Sequence, residues 1–249
     1  MRRMFTGFWI GKPPVVSKFR RPLLIWDVDG TLLELSGVGR QALNQAFLSL
    51  HHISEAFDQL DFAGATDHAL YRQAVDHFLN DQGAAEPSRF FQVYLDRLRV
   101  LLTHAPITPL PGVPALLALL SRAGWSMVLG TGNIRAGAYR KLGRVGLANY
   151  FPGGGFSTPG CSRADLLRTA RETAPPDTPA VVLGDTPRDV EAARQLGLPV
   201  IAVATGRYAP DQLASCGADQ VVETLEDRDR LASSIIDLIE QSKGSGGAP

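Results

Sequence analysis

The chain is poor in cysteine and lysine and has no long apolar run. Its two cysteines, Cys161 and Cys216, are too few for a disulfide framework or a zinc site and fit a reducing cytoplasm. Nothing approaches the ~20 consecutive apolar residues that cross a bilayer, so no membrane segment is expected. The five histidines, His51, His52, His68, His77 and His104, form no H-x-x-x-H or H-E-x-x-H pair; they read as solvated or capping positions on helices. There is no G-x-S-x-G nucleophile elbow, and neither cysteine is followed six residues later by an arginine. Lysine occurs only at Lys12, Lys18, Lys141 and Lys243, against 21 arginines.

What is present is a globular composition, 45% hydrophobic and 20% charged over 249 residues, enough for one sizeable core or a core with a small accessory domain. Net charge is zero but uneven. Residues 1–26 carry six Lys/Arg and no acid, leaving 19 basic against 25 acidic residues in the remainder. A body of that sign does not suggest a nucleic-acid partner. Residues 1–21 are basic and aromatic without helical or strand period, and are expected to form a flexible extension. Phe5–Ile10 is too short for a signal-peptide core. Gly7–Lys12 approaches a phosphate loop but is one residue short and is followed by Pro13.

The organising stretch is LLIWDVDGTL, Leu23 to Leu32. The run Leu23–Trp26 has the pattern of a buried parallel strand. Asp27 and Asp29 follow where that strand should end, and in open parallel sheets ligands bind at carboxyl ends. Alternation along extended chain puts both acids on one side, close enough to share a cation. Gly37–Ala42 mimics a dinucleotide fingerprint, but the strand before it has already ended, so a glycine hinge into a helix is the expectation. Apolar spacing predicts helices over Val38–His51, Asp67–Leu79 and Pro87–Thr103, with no strands among them. From Pro109 the pattern alternates. Strands are expected at Trp125–Leu129, Phe151–Phe156, Ala180–Leu183, Val200–Ala204 and Gln220–Val222. Helices are expected at Val113–Ala123, Ile134–Val145, Arg163–Thr173, Arg188–Leu196 and Leu225–Glu240. The fold class is therefore α/β, a doubly wound, Rossmann-like parallel sheet with an all-helical insertion after its first strand. The expected division is a core of residues 22–36 and 109–241, an insertion of 37–108 and a flexible tail of 242–249.

Two further strand ends carry chemistry. Met127–Leu129 runs into Gly130-Thr131-Gly132-Asn133, where a hydroxyl and free amides at a helix start make an anion site. Ala180–Leu183 runs into Gly184-Asp185, with Asp189 in the next helical turn. Three strand-end carboxylates in one sheet repel unless a cation sits among them, and oxygen ligation without His or Cys points to Mg2+. A fixed positive charge should face the anion. Arg163, opening a helix, is the expected residue, whereas Lys141 sits mid-helix, roughly 12 Å from its start at 1.5 Å per residue. Thr66 reads as a helix N-cap, with Asp67 in the first turn.

Taken in order, Asp27/Asp29, Thr131, a basic residue and Asp185/Asp189 resemble the four motifs of the haloacid dehalogenase-type (HAD) hydrolases. The insertion resembles the helical cap of the branch that includes phosphoglycolate phosphatases and β-phosphoglucomutases. The resemblance implies a Mg2+-dependent phosphatase acting on a small phosphorylated metabolite. Asp27 would be the nucleophile and Asp29 the acid/base, with Arg163, Thr131, Gly132 and Asn133 on the phosphate. It further implies Mg2+ on Asp27, the Asp29 carbonyl and Asp185, oriented by Asp189, and a substrate-reading loop containing Gly64 and Thr66. The usual basic-motif lysine is Arg163 here, and Ala65 stands where related sequences often carry a cation. Asp29 argues against dehalogenation. The absence of lysine between Lys18 and Lys141 argues against a cap Schiff base. A phosphomutase and a ligand- or partner-binding scaffold without catalysis remain as alternatives.

Overall fold

The computed structural model describes residues 21–80 and 84–244, so residues 1–20 and the end of the chain past 244 lie outside the described residues. Its centre is β1 (Leu23–Trp26), four apolar residues at most 1% exposed. A strand apolar on both faces has to be sandwiched, and on the order of 2 kcal/mol per buried large side chain drives that. Leu24 and Trp26 face one layer, Leu23 and Ile25 the other, as the two-residue period requires.

After β1 come β2 (Leu33–Glu34), α1 (Val38–His51), α2 (Asp67–Leu79), α3 (Pro87–His104) and β3 (Thr108–Pro109). The rest alternates: α4 (Val113–Arg122), β4 (Ser126–Gly130), α5 (Arg135–Arg144), a 3-10 turn (Ala148–Tyr150) and β5 (Gly154–Gly155). Then follow α6 (Arg163–Arg171), β6 (Ala180–Gly184), α7 (Pro187–Gln195), β7 (Val200–Val203), α8 (Pro210–Ser215), β8 (Gln220–Val222) and α9 (Arg228–Gly244). The main sheet has the order β5-β4-β1-β6-β7-β8, every pair parallel. Residues of α4, α5 and α9 (Leu116, Leu142, Ile235) pack on the Leu24/Trp26 face, and residues of α6, α7 and α8 (Leu167, Ala193, Leu213) on the other. This is the doubly wound sheet expected from the alternation. Among the described residues no helix is long and apolar enough to cross a membrane.

The helices α1 to α3 bury a cluster of their own around Phe47, Phe57, Phe90, Tyr94 and Leu98, which of the sheet's connections takes in Ile134. Phe47 meets Phe57 edge-on at 5.7 Å and Tyr71 stacks on Phe90 at 4.3 Å. Both chain crossings into this insertion lie side by side, because β2 pairs antiparallel with β3 (Leu33 with Pro109, Glu34 with Thr108). This ribbon and α8 were not anticipated: two paired residues and six helical ones are too short to show a period. The last helix also differs from expectation. It continues past Glu240 to Gly244, into the segment read as tail.

Candidate active site

Three strand ends and the insertion build the site. Backbone pairing fixes the first: Asp27 N–H donates to Leu183 O at 2.9 Å, so Asp27 is held as the continuation of β1 beside β6. The chain then turns at Gly30, whose φ of +88° is left-handed; a Cβ there would lie 2.2 Å from Asp185 Oδ2. Only glycine allows both the turn and that approach. Gly206 closes the other side, since its Cβ would come 2.1 Å from the same oxygen. Thr31 Oγ1 donates to Asp185 Oδ1 at 3.1 Å.

The structure brings Asp27, Asp185 and Asp189 together, all buried, with one carboxylate oxygen from each within 4.8 Å of the others. Asp189 is fully engaged. Its Oδ1 accepts from Arg163, and its Oδ2 accepts from Thr186 N (3.1 Å) and Thr186 Oγ1 (2.7 Å) in a capping box. Arg163 opens α6 and also reaches Asp27 Oδ1 at 2.8 Å, so one buried guanidinium ties two carboxylates. Burial pushes Asp27 up to about 6, against the pull of Arg163, with repulsion from Asp189 and Asp29 adding to the rise. Burial, then Asp27 and Asp189, hold Asp185 well above the usual carboxylate range. For Arg163, burial opposes the charge but the two acids outweigh it and raise its pKa. A crowded set of hard oxygen donors, with Asp185 cradled by two glycines, fits a divalent cation held by Asp27 and Asp185.

At the β4 end, Thr131 is fully buried and its Oγ1 accepts from Asn133 N (3.3 Å) and Asn133 Nδ2 (2.8 Å). A hydroxyl that accepts twice keeps its proton for a third partner. Gly132 takes no side chain because a Cβ would meet Ala65 O at 2.1 Å.

The insertion docks directly on this strand end. Asp67 N donates to Gly132 O (2.7 Å), and Asp67 Oδ2 accepts from Ile134 N (2.7 Å). Thr66 is the N-cap of α2, accepting from Ala69 N at 3.2 Å as expected. Gly64 packs on the core, its Cβ position 2.7 Å from Thr186 Oγ1. Between insertion and sheet lies a cavity of about 550 Å3 lined by Asp27, Asp29, Asp185, Arg163, Gly64 and Ala65, with Arg40 and Arg207 also on its wall. Arg40 stacks over the Phe62 ring at 4.5 Å.

The expectation that Lys141 stands apart from the site is corrected by the structure. Lys141 is 2% exposed, lines the same cavity, and donates to Asp29 Oδ2 at 2.5 Å and to Asn133 Oδ1 at 2.6 Å. Rise per residue measured the backbone alone, whereas helical side chains lean toward the N-terminus and a lysine spans another turn. The missed signal was a charge within the inward stripe Gly137, Ala138, Lys141, Leu142 of α5.

A family model described as haloacid dehalogenase-like hydrolase matches residues 22–197. A probable phosphatase, IndB, of Dickeya dadantii is 28% identical over 88% of this chain and 96% of its own length. A phosphoglycolate phosphatase of Synechococcus elongatus is 30% identical over 88% of this chain and 99% of its own. Among solved structures, CbbY from Rhodobacter sphaeroides in complex with phosphate superposes with a TM-score of 0.63, 23% identical, covering 84% of this chain and 96% of that one.

Proposed function

The chain belongs to the haloacid dehalogenase-like hydrolases, and from that premise we propose a Mg2+-dependent phosphatase that carries the phosphoryl group on Asp27. Its substrate is a small phosphate monoester of the phosphoglycolate kind named for its relatives. The observation that carries this reading is the buried convergence of Asp27, Asp185 and Asp189 around Arg163, with Asp29 two residues after the nucleophile.

Asp27 and Asp185, with the Asp29 carbonyl, would hold the metal, and Asp189, both of whose oxygens are taken by protein donors, orients Arg163 and the Thr186 turn instead. When bound, the cation neutralises phosphoryl oxygens and keeps Asp27 ionised. Asp27 attacks phosphorus while Arg163 fixes its carboxylate and the Thr131 hydroxyl proton and nearby amides meet the phosphoryl oxygens. Asp29 gives its proton to the leaving oxygen and afterwards takes one from the attacking water. Residues 37–108 act as a cap whose Gly64–Asp67 loop bounds the leaving-group side and excludes water.

Hydrolysis of p-nitrophenyl phosphate with Mg2+, abolished by EDTA, tests the reading. Asp27→Asn should remove turnover in a protein that still folds, because an amide cannot serve as the nucleophile. Turnover near wild type in folded Asp27→Asn protein would sink the mechanism. A panel of phosphate esters then identifies the preferred leaving group, and product isomerisation rather than phosphate release would mark a mutase.

A further inference from the structure

Two buried cations serve this site, and only Arg163 has a role so far. Lys141 projects its ammonium onto Asp29 Oδ2 (2.5 Å) and Asn133 Oδ1 (2.6 Å). Because an ammonium only donates, it compels Asn133 to present its oxygen there and turn its amide the other way. The Asn133 Nδ2 group accordingly donates back to Asp29 Oδ2 (3.3 Å), closing a ring of three side chains with Lys141, and also donates to Thr131 Oγ1 (2.8 Å) outside that ring. Asp29 Oδ1 is buried and has no hydrogen-bond partner, so the acid's carboxylate is anchored entirely through Oδ2. The first turn of α1 packs beside this arrangement, the Cβ position of Gly39 lying in ordinary contact with Lys141 Nζ at 3.5 Å.

We propose that Lys141 is the positioning residue of Asp29, as Arg163 is that of Asp27, so that nucleophile and acid/base each have a dedicated cation. The inference rests on the phosphatase reading above. In the first half-reaction an Asp27 oxygen bonds to phosphorus, the bond to the leaving oxygen breaks, and that oxygen takes the electron pair and the proton of Asp29. In the second, water attacks phosphorus and gives a proton to Asp29, the bond to Asp27 breaks with its pair returning to the carboxylate, and phosphate departs. Both proton transfers need Asp29 fixed at the cavity wall. A salt bridge from a side chain only 3% exposed to one 42% exposed fixes it from the protein side while the Asp29 side chain as a whole stays accessible from the cavity. Lys141 bonds Asp29 and Asn133 directly and reaches Thr131 only through Asn133, so its first effect falls on the acid/base.

That division has a kinetic signature. A p-nitrophenolate group leaves without a proton, so only the second half-reaction with this substrate requires Asp29. In full-length Lys141→Met protein with Mg2+, p-nitrophenyl phosphate should give a burst approaching one equivalent per chain, followed by turnover slowed roughly 10²–10⁴-fold. Intact-mass measurement should find one phosphoryl group retained on the protein. With glycerol phosphate, whose leaving group needs the proton, the burst should be absent. Asp29→Asn should behave alike, and the double variant should be no slower than Asp29→Asn alone. If Lys141→Met does not fold, Lys141→Arg, which keeps a charge but not the ammonium's placement, is read against the same criteria. Slow turnover with neither burst nor phosphorylated protein would overturn the proposal by placing Lys141 on the phosphate or the nucleophile. Unchanged turnover would overturn it too. No hydrolysis by the wild-type chain would overturn the phosphatase reading itself and this inference with it.

Discussion

Arg163 stands between two carboxylates, Asp27 and Asp189, that are buried with it. Breaking a buried ion pair by deleting one partner leaves the other uncompensated, at about 3–5 kcal/mol. Arg163→Ala should therefore lower the urea midpoint as well as the rate, and Arg163→Lys should recover part of both, since the point charge survives without the fork. Stability unchanged in Arg163→Ala would contradict the geometry of this triad. At this scale Asp27, Asp29 and Asp185 were legible in the sequence because they follow apolar strands, and a strand fixes where its end will lie; Asp189 was legible from its place in the first turn of the helix after β6. Arg163 was legible for a similar reason, since it opens a helix. Lys141 was not: its place in the chain fixes its Cα, but only packing decides that an inward-facing lysine reaches back along its own helix to Asn133.

Among the elements, the turn after β1 and the loop before α2 do most to shape the site. Gly30 has φ +88° and abuts Asp185. Gly30→Ala adds roughly 1–2 kcal/mol of left-handed backbone strain and displaces the Asp185 carboxylate. A raised Mg2+ requirement in activity titrations is expected, and an unchanged one would show that Asp185 is not held by this turn. In the other loop, Thr66 caps α2 through Ala69 N, so Thr66→Ala should cost about 1 kcal/mol in thermal stability. An effect confined to substrate preference, with no loss of stability, would mean the hydroxyl faces ligand instead. Long helices such as α1 and α2 were readable from their apolar spacing. The insertion's docking on Gly132 and Ile134 was not, because on the sheet side it uses only the Gly132 carbonyl and the Ile134 amide, which every residue possesses and no composition reveals.

For the molecule as a whole, buried acids couple stability to pH and metal. Asp27 and Asp67 are pushed up to about 6 from 3.8, chiefly by burial. Between those values the folded chain keeps protons the unfolded chain has released, so stability conferred by these groups is full below about 4 and lost as pH rises through about 6. Without metal, melting temperature should fall between pH 5 and pH 7 more than exposed acids alone would cause. Mg2+ should restore more stability at pH 7 than at pH 5, because it favours the ionised form of Asp27 and Asp185. Equal stabilisation at both values would argue against a metal among these carboxylates. The β2–β3 ribbon has a consequence of another kind. Paired residues of an antiparallel ribbon lie about 5 Å apart, so the chain leaves the sheet and returns to it at a single seam, between Glu34 and Thr108. For evolution that seam is a cloning site: one cassette of helices can be exchanged for another while strand order and the chemistry at the strand ends are inherited intact.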